Sequence, residues 1–451
     1  MDAPRALTDQ WRRLHPLSPL VRFGRLFVAV VVIAVPSLST VQAGHGERLL
    51  SGLVWIALLA IGSLAGVIAW LVTRWRIDGG DLQIETGLIR RQSFRIPMAR
   101  VQAVDVVAPL LARVLGLAEV RVVSAGRGTE RGRLAYVSAS EAPVLRAQLL
   151  ALAHGLSRDT PEPLALPLFH VDNARLAAGL VLRAETMIPL LLAVIATVLL
   201  IAVPETGITV LSSTLVAIFA GVLAALRAFN DDFDLMVGEA GDGLRLDRGL
   251  LQRRHETIPY GRVQALRLVE PLLWRPFGWA RLEVDIARQG DPRGEGHEAR
   301  QVARTLVPVA SRVAAVGLLQ RVLPDAVVTP PLGARPPRRA LPRAPFSYHF
   351  LAAWHDHDYI CTRTGRVRSD TVVVPLDKIQ SIRLNRGPLL RALRLASVHV
   401  DTAGHRWQAS AVCRDEAEAD RLLWSLAGLS GHARRRPRFA AGSKPIVNPI
   451  A

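Results

Sequence analysis

The sequence predicts an α+β membrane protein in which two transmembrane helical hairpins accompany three copies of a β-rich domain, each closed by a C-terminal helix. Three observations support this prediction. Four long stretches contain no charged side chain. A pattern of about forty residues occurs three times, which indicates internal duplication. Each copy ends in residues with the apolar spacing of an amphipathic helix.

The composition favours a chain that mixes membrane segments with soluble ones. It has 451 residues, of which 50% are hydrophobic, and a formal net charge of +18. Nearly all the positive charge is arginine, because lysine occurs only at Lys378 and Lys444. Such a surface favours an anionic partner such as lipid head groups. No nucleic-acid-binding motif is present, so we expect no nucleic acid partner.

The four apolar stretches have about the length of ~20 residues that is needed to cross a bilayer. A short polar loop joins the members of each pair, and each pair is therefore predicted to be a helical hairpin. The hairpins occupy residues 26–72 and 187–226. The stretches run from Leu26 to Ala43, Leu49 to Val72, Met187 to Val203 and Ile208 to Leu226.

The positions of the arginines predict the orientation. Arginines precede the first span and follow the second, whereas the loop between these two spans contains only Arg48 and the second loop contains none. The positive-inside rule then places all large soluble segments in the cytoplasm, at a bacterial inner membrane. The alternative is that residues 1–43 are a cleaved signal peptide, since a basic start, an apolar core and small residues precede Gly44. The long basic region and the second span argue against cleavage.

The repeated pattern contains a glycine, a proline ten residues later and a glutamine five residues after the proline. Alternating apolar and polar residues around each glycine predict a β-hairpin. We expect these repeated residues to serve the fold, the glutamines by bonding to backbone groups. They are Gly87, Pro97 and Gln102 in the first copy, Gly249, Pro259 and Gln264 in the second, and Gly365, Pro375 and Gln380 in the third.

This spacing, followed by "PLLARVLGLAEV" in the first copy, resembles the bacterial pleckstrin-homology-like domain of YdbS/YdbT-type multi-pass membrane proteins. The resemblance covers nearly the whole chain. It implies that each copy is a PH-like, partly open β-barrel closed by a C-terminal helix. It also implies a role in envelope stress or in resistance to membrane-active agents. The third copy departs most, because Arg394 replaces the glycine found at Gly116 and Gly278.

Spans, copies and linkers together divide the chain. Proline and arginine enrichment predicts an extended linker before the third copy, and the basic C-terminal tail is predicted to be disordered. The segments are an N-terminal cytoplasmic segment 1–25, hairpin 26–72, PH-like domain 73–157, linker 158–186, hairpin 187–226, PH-like domain 227–323, linker 324–345, PH-like domain 346–430 and tail 431–451.

The sequence contains no hydrolase, nucleotide-binding or zinc motif, and we predict a non-enzymatic protein without catalytic residues, metal or cofactor. Cys361 and Cys413 lack metal-ligand spacing and are expected to be buried thiols, with a disulfide or a reactive thiol as the alternative. His355 and His357 would share one face of a strand and could ligate a metal. A polar strand edge is the preferred interpretation of that cluster.

Arg113, Arg275 and Arg391 occupy the same position in the three copies and are the candidate ligand-binding residues. An arginine near the end of a strand offers several donors to a phosphate or carboxylate. The alternative is a stacking or salt-bridging role within each domain.

The predicted function is that of an integral membrane protein holding tandem PH-like domains at the cytoplasmic face as a protein/lipid-binding scaffold. Tethering raises the local concentration of several modest binding surfaces. The expected partners are membrane lipids and other membrane proteins or homologous subunits. The alternative is a transporter or membrane-complex subunit, against which stands the absence of Asp, Glu, Lys and Arg in the spans.

Overall fold

The computed structural model divides the chain into two compact units. The first comprises Met1–Leu164 with Leu251–Thr257, and the second comprises Ala165–Leu250 with Ile258–Ala451. The short segment of the first unit therefore comes from the second copy of the repeat. The residues described are 11–21, 23–24, 26–27, 30, 45–78, 81–87, 91–124, 133–157, 160, 162–202, 204–241, 243–287, 304–404 and 407–435.

In the first unit, the described strands of the first copy form two antiparallel sheets. One sheet has the order β1 (Arg12–Arg13), β2 (Arg74–Asp78), β3 (Asp81–Thr86), β4 (Gln92–Pro97). The other contains β5 (Val101–Ala108), β6 (Leu117–Ser124) and β7 (Arg133–Ser138). The helices that accompany them are α1 (His45–Val72), α2 (Leu110–Val114) and α3 (Glu141–Ala153).

Helix α3 packs on the second of these sheets, as the spacing of its apolar residues predicts. Leu145 and Leu149 are one turn apart and buried, together with Ala142. They belong to the same apolar cluster as Val104 of β5 and Val120 of β6. Residues one turn apart share a helix face, so this face completes the core.

The second unit begins with β8 (Leu166–His170) and α4 (Asn173–Val181), which lie inside the segment predicted as the linker 158–186. The carboxylate of Asp172 accepts hydrogen bonds from the backbone N–H groups of the first turn of α4. Strand β8 pairs with β9 (Met236–Ala240), which pairs with β10 (Gly243–Arg248). This segment thus contributes a strand and a capped helix to the fold.

Helix α5 (Ala184–Ala202) covers the described part of the third predicted span, α6 (Pro204–Asp232) covers the fourth, and the two helices pack against each other. Among the described residues, one helix is long and apolar enough by itself to cross a membrane, Gly52–Val72 within α1. A bent pair, Asn173–Val181 with Thr186–Leu199, is a second candidate. Most of the first predicted span lies outside the described residues. The prediction of two complete hairpins therefore stays a prediction.

Nine further described strands form two sheets in the second unit. One has the order β14 (Arg304–Ser311), β13 (Trp279–Ile286), β12 (Val263–Pro271), β17 (Arg368–Pro375), β16 (Tyr359–Thr364), β15 (Ala352–His355). The other has the order β18 (Ile379–Asn385), β19 (Leu395–Thr402), β20 (Ala409–Asp415). The remaining elements are β11 (Arg253–Ile258), α7 (Arg312–Val322), α8 (Pro388–Ala392) and α9 (Glu416–Arg435).

The strands of each copy do not close into one barrel within the part of the chain that the structure describes. The first copy is divided into β2–β3–β4 and β5–β6–β7, and the third into β15–β16–β17 and β18–β19–β20. In the third copy, the edge of β17 that faces away from β16 is occupied by β12 of the preceding copy. Each copy does end in a helix that packs on its second sheet, as predicted.

The repeated glycine and proline have local backbone roles. Gly87, Gly249 and Gly365 have φ of 105°, 110° and 91°, which favours glycine because it has no Cβ. A Cβ on Gly365 would collide with the carbonyl oxygen of Arg368. Each repeated proline precedes one turn of 3₁₀-helix, at Met98–Arg100, Tyr260–Arg262 and Leu376–Lys378.

The repeated glutamine marks a β-bulge in every copy. The pairing register shifts between Val101 and Ala103, between Val263 and Ala265, and between Ile379 and Ser381. The glutamine is the residue between the two members of each pair. A bulge bends its strand and increases the twist, so the repeated glutamine accompanies a repeated bend.

The proline-rich segment 324–345 is held by side chains of the second unit. The indole Nε1 of Trp354 donates to the carbonyl of Val327 at 2.8 Å, and the hydroxyl of Tyr359 donates to the carbonyl of Pro324 at 2.8 Å. Helix α9 continues to Arg435, and the rest of the predicted tail lies outside the described residues.

Candidate functional site

In the first and second copies, the first strand of that copy's second sheet pairs with a strand of the following copy. In the first unit, β11 pairs with β5, with Arg253 opposite Ala108 and His255 opposite Val106. In the second unit, β17 pairs with β12 from Leu266 opposite Val373 onward. Both pairings are antiparallel. The copies are thus linked by pairing between a strand of one copy and a strand of the next, and β17 also stays paired with β16 of its own copy.

Buried polar contacts hold β11 in the first unit. Nη2 of Arg146, on α3, donates to Oγ1 of Thr257 at 2.9 Å. The backbone N–H of Thr257 donates to Oδ1 of Asp105 at 3.2 Å. Arg146 also lies 3.3 Å from the carboxylate of Glu162. Buried polar groups need partners, so these contacts favour one register for the incoming strand.

Charged side chains hold β17 in the second unit. Arg267 of β12 contacts Glu283 at 2.6 Å and Asp370 of β17 at 3.7 Å. The guanidinium of Arg267 also stacks on the ring of Trp407, with 4.4 Å to the ring centroid. Burial alone would raise the pKa of Glu283, but Arg281 and Arg267 lower it below its usual value. The carboxylate is therefore held in its charged form.

Strand β18 is the equivalent strand of the third copy, and no other described strand pairs with its outer edge. A groove of about 380 Å³ lies between β18 and α9. At one end, Nη2 of Arg434 donates to the carbonyl of Ile379 at 3.2 Å. The lining residues are Ile379, Gln380, Ser381, Ile382, Leu423, Trp424, Ala427, Ser430 and Arg434.

Two strand positions that are buried in the first two copies are exposed in β18. The residue after the repeated glutamine is buried Ala103 in β5 and buried Ala265 in β12, but exposed Ser381 in β18. Five residues after the glutamine, Val269 is buried in β12 and Asn385 is exposed in β18. The incoming strand accounts for the burial of β12.

The helix that faces the groove shows the same difference. Each closing helix contains a buried alanine, and the residue four positions after it can be compared between the copies. This residue is buried in α3 (Arg146) and in α7 (Leu319), but half-exposed in α9 (Leu423). The next residue, Trp424, is 74% exposed. An open strand edge beside apolar side chains is suited to binding an extended segment, because backbone hydrogen bonds and side-chain contacts form together. This groove is the candidate functional site.

The candidate ligand-binding arginines lie at the turn between the first two strands of each second sheet. Nε of Arg275 donates to the carbonyl of Glu270 at 3.4 Å, and Nε of Arg391 donates to the carbonyl of Arg386 at 3.0 Å. In both bonds the arginine contacts the carbonyl of the residue five positions before it, so the second and third copies share this contact. Arg113 occupies the same place, in α2. A ligand-binding role for the three stays a prediction.

The two histidines of the possible metal cluster do not share a strand. Strand β15 ends at His355, and His357 lies in the following turn. The carboxylate of Asp356 accepts from the backbone N–H groups of Asp358 and Tyr359, which stabilises that turn. The assumption that both side chains lie on one strand face was therefore wrong. Within the described residues, no three His, Cys, Asp or Glu side chains are grouped to hold a metal.

The two cysteines are free and buried, as expected from the sequence. Burial raises the pKa of the Cys361 thiol and that of the Cys413 thiol. Neutral, inaccessible thiols are poor nucleophiles, so neither side chain is suited to catalysis in the folded protein.

Sequence reasoning did not identify the groove. A signal was present, since Ser381 and Asn385 replace residues that are alanine and valine in the other copies. Polar substitutions at otherwise apolar positions of a repeated strand indicate that this strand has lost a covering element.

Comparison with protein families supports the repeat. The family described as "Bacterial PH domain" matches the chain three times, over residues 25–153, 186–316 and 326–427. Comparison with curated proteins gives no match. The three matched segments include most of the chain and all three copies of the glycine–proline–glutamine pattern. The chain therefore belongs to the bacterial PH domain family and contains three such domains in tandem.

Proposed function

We propose that this chain is an integral membrane protein whose tandem PH domains form a protein-binding scaffold, and that the third domain captures an extended segment of a protein partner in the groove between β18 and α9. The observation that carries the proposal is the unpaired outer edge of β18 among the described residues. The equivalent strands β5 and β12 each hold an incoming strand. The third domain has the same acceptor strand and the same flanking helix.

Membrane attachment is part of the proposal. The apolar helix Gly52–Val72 and the four charge-free stretches support it, as does the distribution of arginine around them. The domains would then lie at the cytoplasmic face of a bacterial inner membrane. Attachment confines the groove to a thin layer and raises the effective concentration of any membrane-bound partner.

The groove chemistry favours an extended peptide over a lipid head group as its ligand. Ile379, Ile382 and Leu423 contribute apolar surface, and Trp424 adds an exposed indole. Arg383 is engaged with Asp401, with 2.8 Å between its Nε and a carboxylate oxygen. Because Asp401 partly neutralises the charge of Arg383, the attraction of this strand edge for an anionic ligand is weaker.

Site-specific photo-crosslinking in native membranes tests the proposal. A photoreactive residue at Trp424 is expected to yield adducts with protein, and peptide mapping should place the adduct on an extended segment. Val313 on α7 is the matched control, since it is 83% exposed but lies on another helix. Protein adducts of equal yield at both positions, or adducts with lipid alone, would contradict a strand-binding groove.

We extend the proposal to envelope stress on the strength of the family resemblance noted in the sequence. Cells that lack the chain are then expected to be more sensitive to membrane-active agents. Full-length protein should restore resistance. Unchanged sensitivity across several classes of agent would remove this part of the proposal.

A further inference from the structure

The two exchanged strands pair in one common register. Counted from the glycine of its own copy, Arg253 is four residues after Gly249, and its partner Ala108 is twenty-one residues after Gly87. In the next pairing, Ser369 is four residues after Gly365. Its partner Glu270 is twenty-one residues after Gly249.

The agreement continues along the strands. The fifth residue after the glycine of one copy pairs with the twentieth residue after the glycine of the preceding copy. These pairs are Arg254 with Val107 and Asp370 with Val269. Because a shift of one residue would reverse every side chain, a shared register indicates a shared recognition rule. The third strand of a copy recognises the first strand of the second sheet in the preceding copy.

This rule leaves one donor and one acceptor unused. Strand β4 is the donor of the first copy and the last strand of its sheet, and no described strand pairs with its outer edge. Strand β18 is the acceptor of the third copy and has the open groove beside it. Among the described strands, the three copies thus form two junctions and leave one donor strand and one acceptor strand without a partner.

The exposure of β4 is that of a strand with an open outer edge. Arg95 is exposed, whereas the equivalent residues Thr257 in β11 and Val373 in β17 are buried. This position is therefore buried in the two strands that pair with the preceding copy. Strand β4 therefore has the exposure expected of a donor before it pairs.

We infer that β4 of one copy of this protein occupies the groove beside β18 of a second copy, in the register of the two internal junctions. The rule places Gln92 opposite Asn385 and Ile96 opposite Ser381. It also places Arg95 at the position of Thr257, next to the helix position that Arg146 occupies in α3 and Leu423 in α9. This inference rests on the proposed function, because it names the partner of the same groove.

The resulting contact is heterologous, since donor and acceptor surfaces differ. Each added copy presents a new donor or acceptor, so assembly continues until a ring closes or a filament grows. Such an assembly at a membrane would place many PH domains side by side. The scaffold would then arise from the same kind of strand pairing that links successive copies within each unit.

Disulfide trapping between two differently tagged full-length chains tests the inference. One chain carries Gln92→Cys and the other Asn385→Cys, and both are co-expressed so that they share one membrane. Oxidation with copper phenanthroline is expected to link the two tags. The native cysteines should not compete, because Cys361 and Cys413 are buried.

A shifted pair provides the register control. Gln92→Cys with Leu384→Cys offsets the pairing by one residue and directs the two thiols to opposite faces. We expect at least about tenfold less linkage than for the matched pair, given the strict alternation of side chains along a strand. Equal linkage for both pairs would overturn the register.

The remaining outcomes separate this inference from the proposed function. Linkage found only within a chain that carries both Gln92→Cys and Asn385→Cys would overturn assembly between copies. Absence of any linkage, together with photo-adducts from Trp424 to another protein, would also overturn it but leave the scaffold intact. Absence of both linkage and protein adducts would remove both proposals.

Discussion

Arg146 and Thr257 are 111 residues apart in the chain, yet Nη2 of the first donates to Oγ1 of the second at 2.9 Å in a buried environment. Arg146 lies on the C-terminal helix of the first domain, and Thr257 lies on a strand of the second. This buried bond fixes β11 to the first compact unit. Strand pairing between the first and second domains is thus a packed and hydrogen-bonded feature of this protein.

Replacing Thr257 by valine should loosen this junction. Thr257→Val keeps the shape of the side chain but leaves the Arg146 donor without its hydroxyl partner, which should cost about 1–2 kcal/mol. Faster hydrogen exchange at the backbone amides of residues 253–257 is the expected result, measured by mass spectrometry. Ser157→Ala, at an exposed hydrogen bond with Thr160, is the control. Unchanged protection in the Thr257 variant would show that the bond does not hold the strand.

Glu283 should stabilise the second unit in a pH-dependent way. Its pKa in the folded protein is lowered below the usual value of 4.5 by two arginines that outweigh burial. Its contribution is therefore present above that value and is lost as the pH falls through the lower folded pKa. Glu283→Gln should destabilise the protein by about 3 kcal/mol at neutral pH.

Thermal unfolding of wild type and Glu283→Gln at neutral and acidic pH measures this effect. The difference in Tm should shrink at acidic pH, because wild-type Glu283 then becomes protonated. Glu416→Gln is the matched control, since its pairing with Arg386 at 3.2 Å is at the surface and worth ~1 kcal/mol or less. A Tm difference that stays constant with pH would contradict the assigned charge state.

Arg394 is expected to be a site where glycine increases stability. Its φ is 51°, and the equivalent Gly116 and Gly278 have φ of 68° and 60°. A left-handed conformation costs a residue with a Cβ roughly 1–2 kcal/mol, and the greater flexibility of unfolded glycine offsets part of this gain. Arg394→Gly should therefore raise the stability by about 0.5–1 kcal/mol.

The reverse change provides the control for this prediction. Gly278→Ala should lower the Tm, because nothing else crowds that position and the backbone alone is strained. Differential scanning calorimetry of the two variants would measure both shifts. A lower Tm for Arg394→Gly would mean that contacts of the arginine side chain outweigh its backbone strain.

The two cysteines should report on unfolding. Cys361 and Cys413 are each about 1% exposed, and burial raises the pKa of both thiols. We expect maleimide to label them only when denaturant unfolds the domains. Ser157→Cys, at an exposed position, should react at once in the folded protein. Rapid labelling of wild type without denaturant would show that the third domain opens locally.

Features that depend on neighbouring residues in the chain were predictable from the sequence. The glycine turns at Gly87, Gly249 and Gly365 require a positive φ, which short-range sterics decide. The apolar spacing of Leu145 and Leu149 likewise predicted the buried face of α3. The resemblance of each copy to a bacterial PH-like domain followed from the same spacings, and the three family matches confirm that part of the resemblance.

Other predictions failed or stayed open because local patterns do not define where an element ends. Alternation around His355 and His357 suggested one strand, but the turn organised by Asp356 ends β15 between them. The repeated glutamines were expected to serve the fold, and only the pairing registers show that they mark bulges.

The sequence by itself determined the three copies, their glycine turns, their closing helices and the apolar stretches, since each depends on contacts within a few residues. Only the tertiary structure decided which strands pair. An exposed edge offers the same backbone groups to any strand of suitable length, so alternation along β11 cannot distinguish a partner within its own copy from β5. Burial of Thr257 beside Arg146 shows which partner is chosen. No equivalent strand lies beside β18 within the described part of the chain, so the groove is open there.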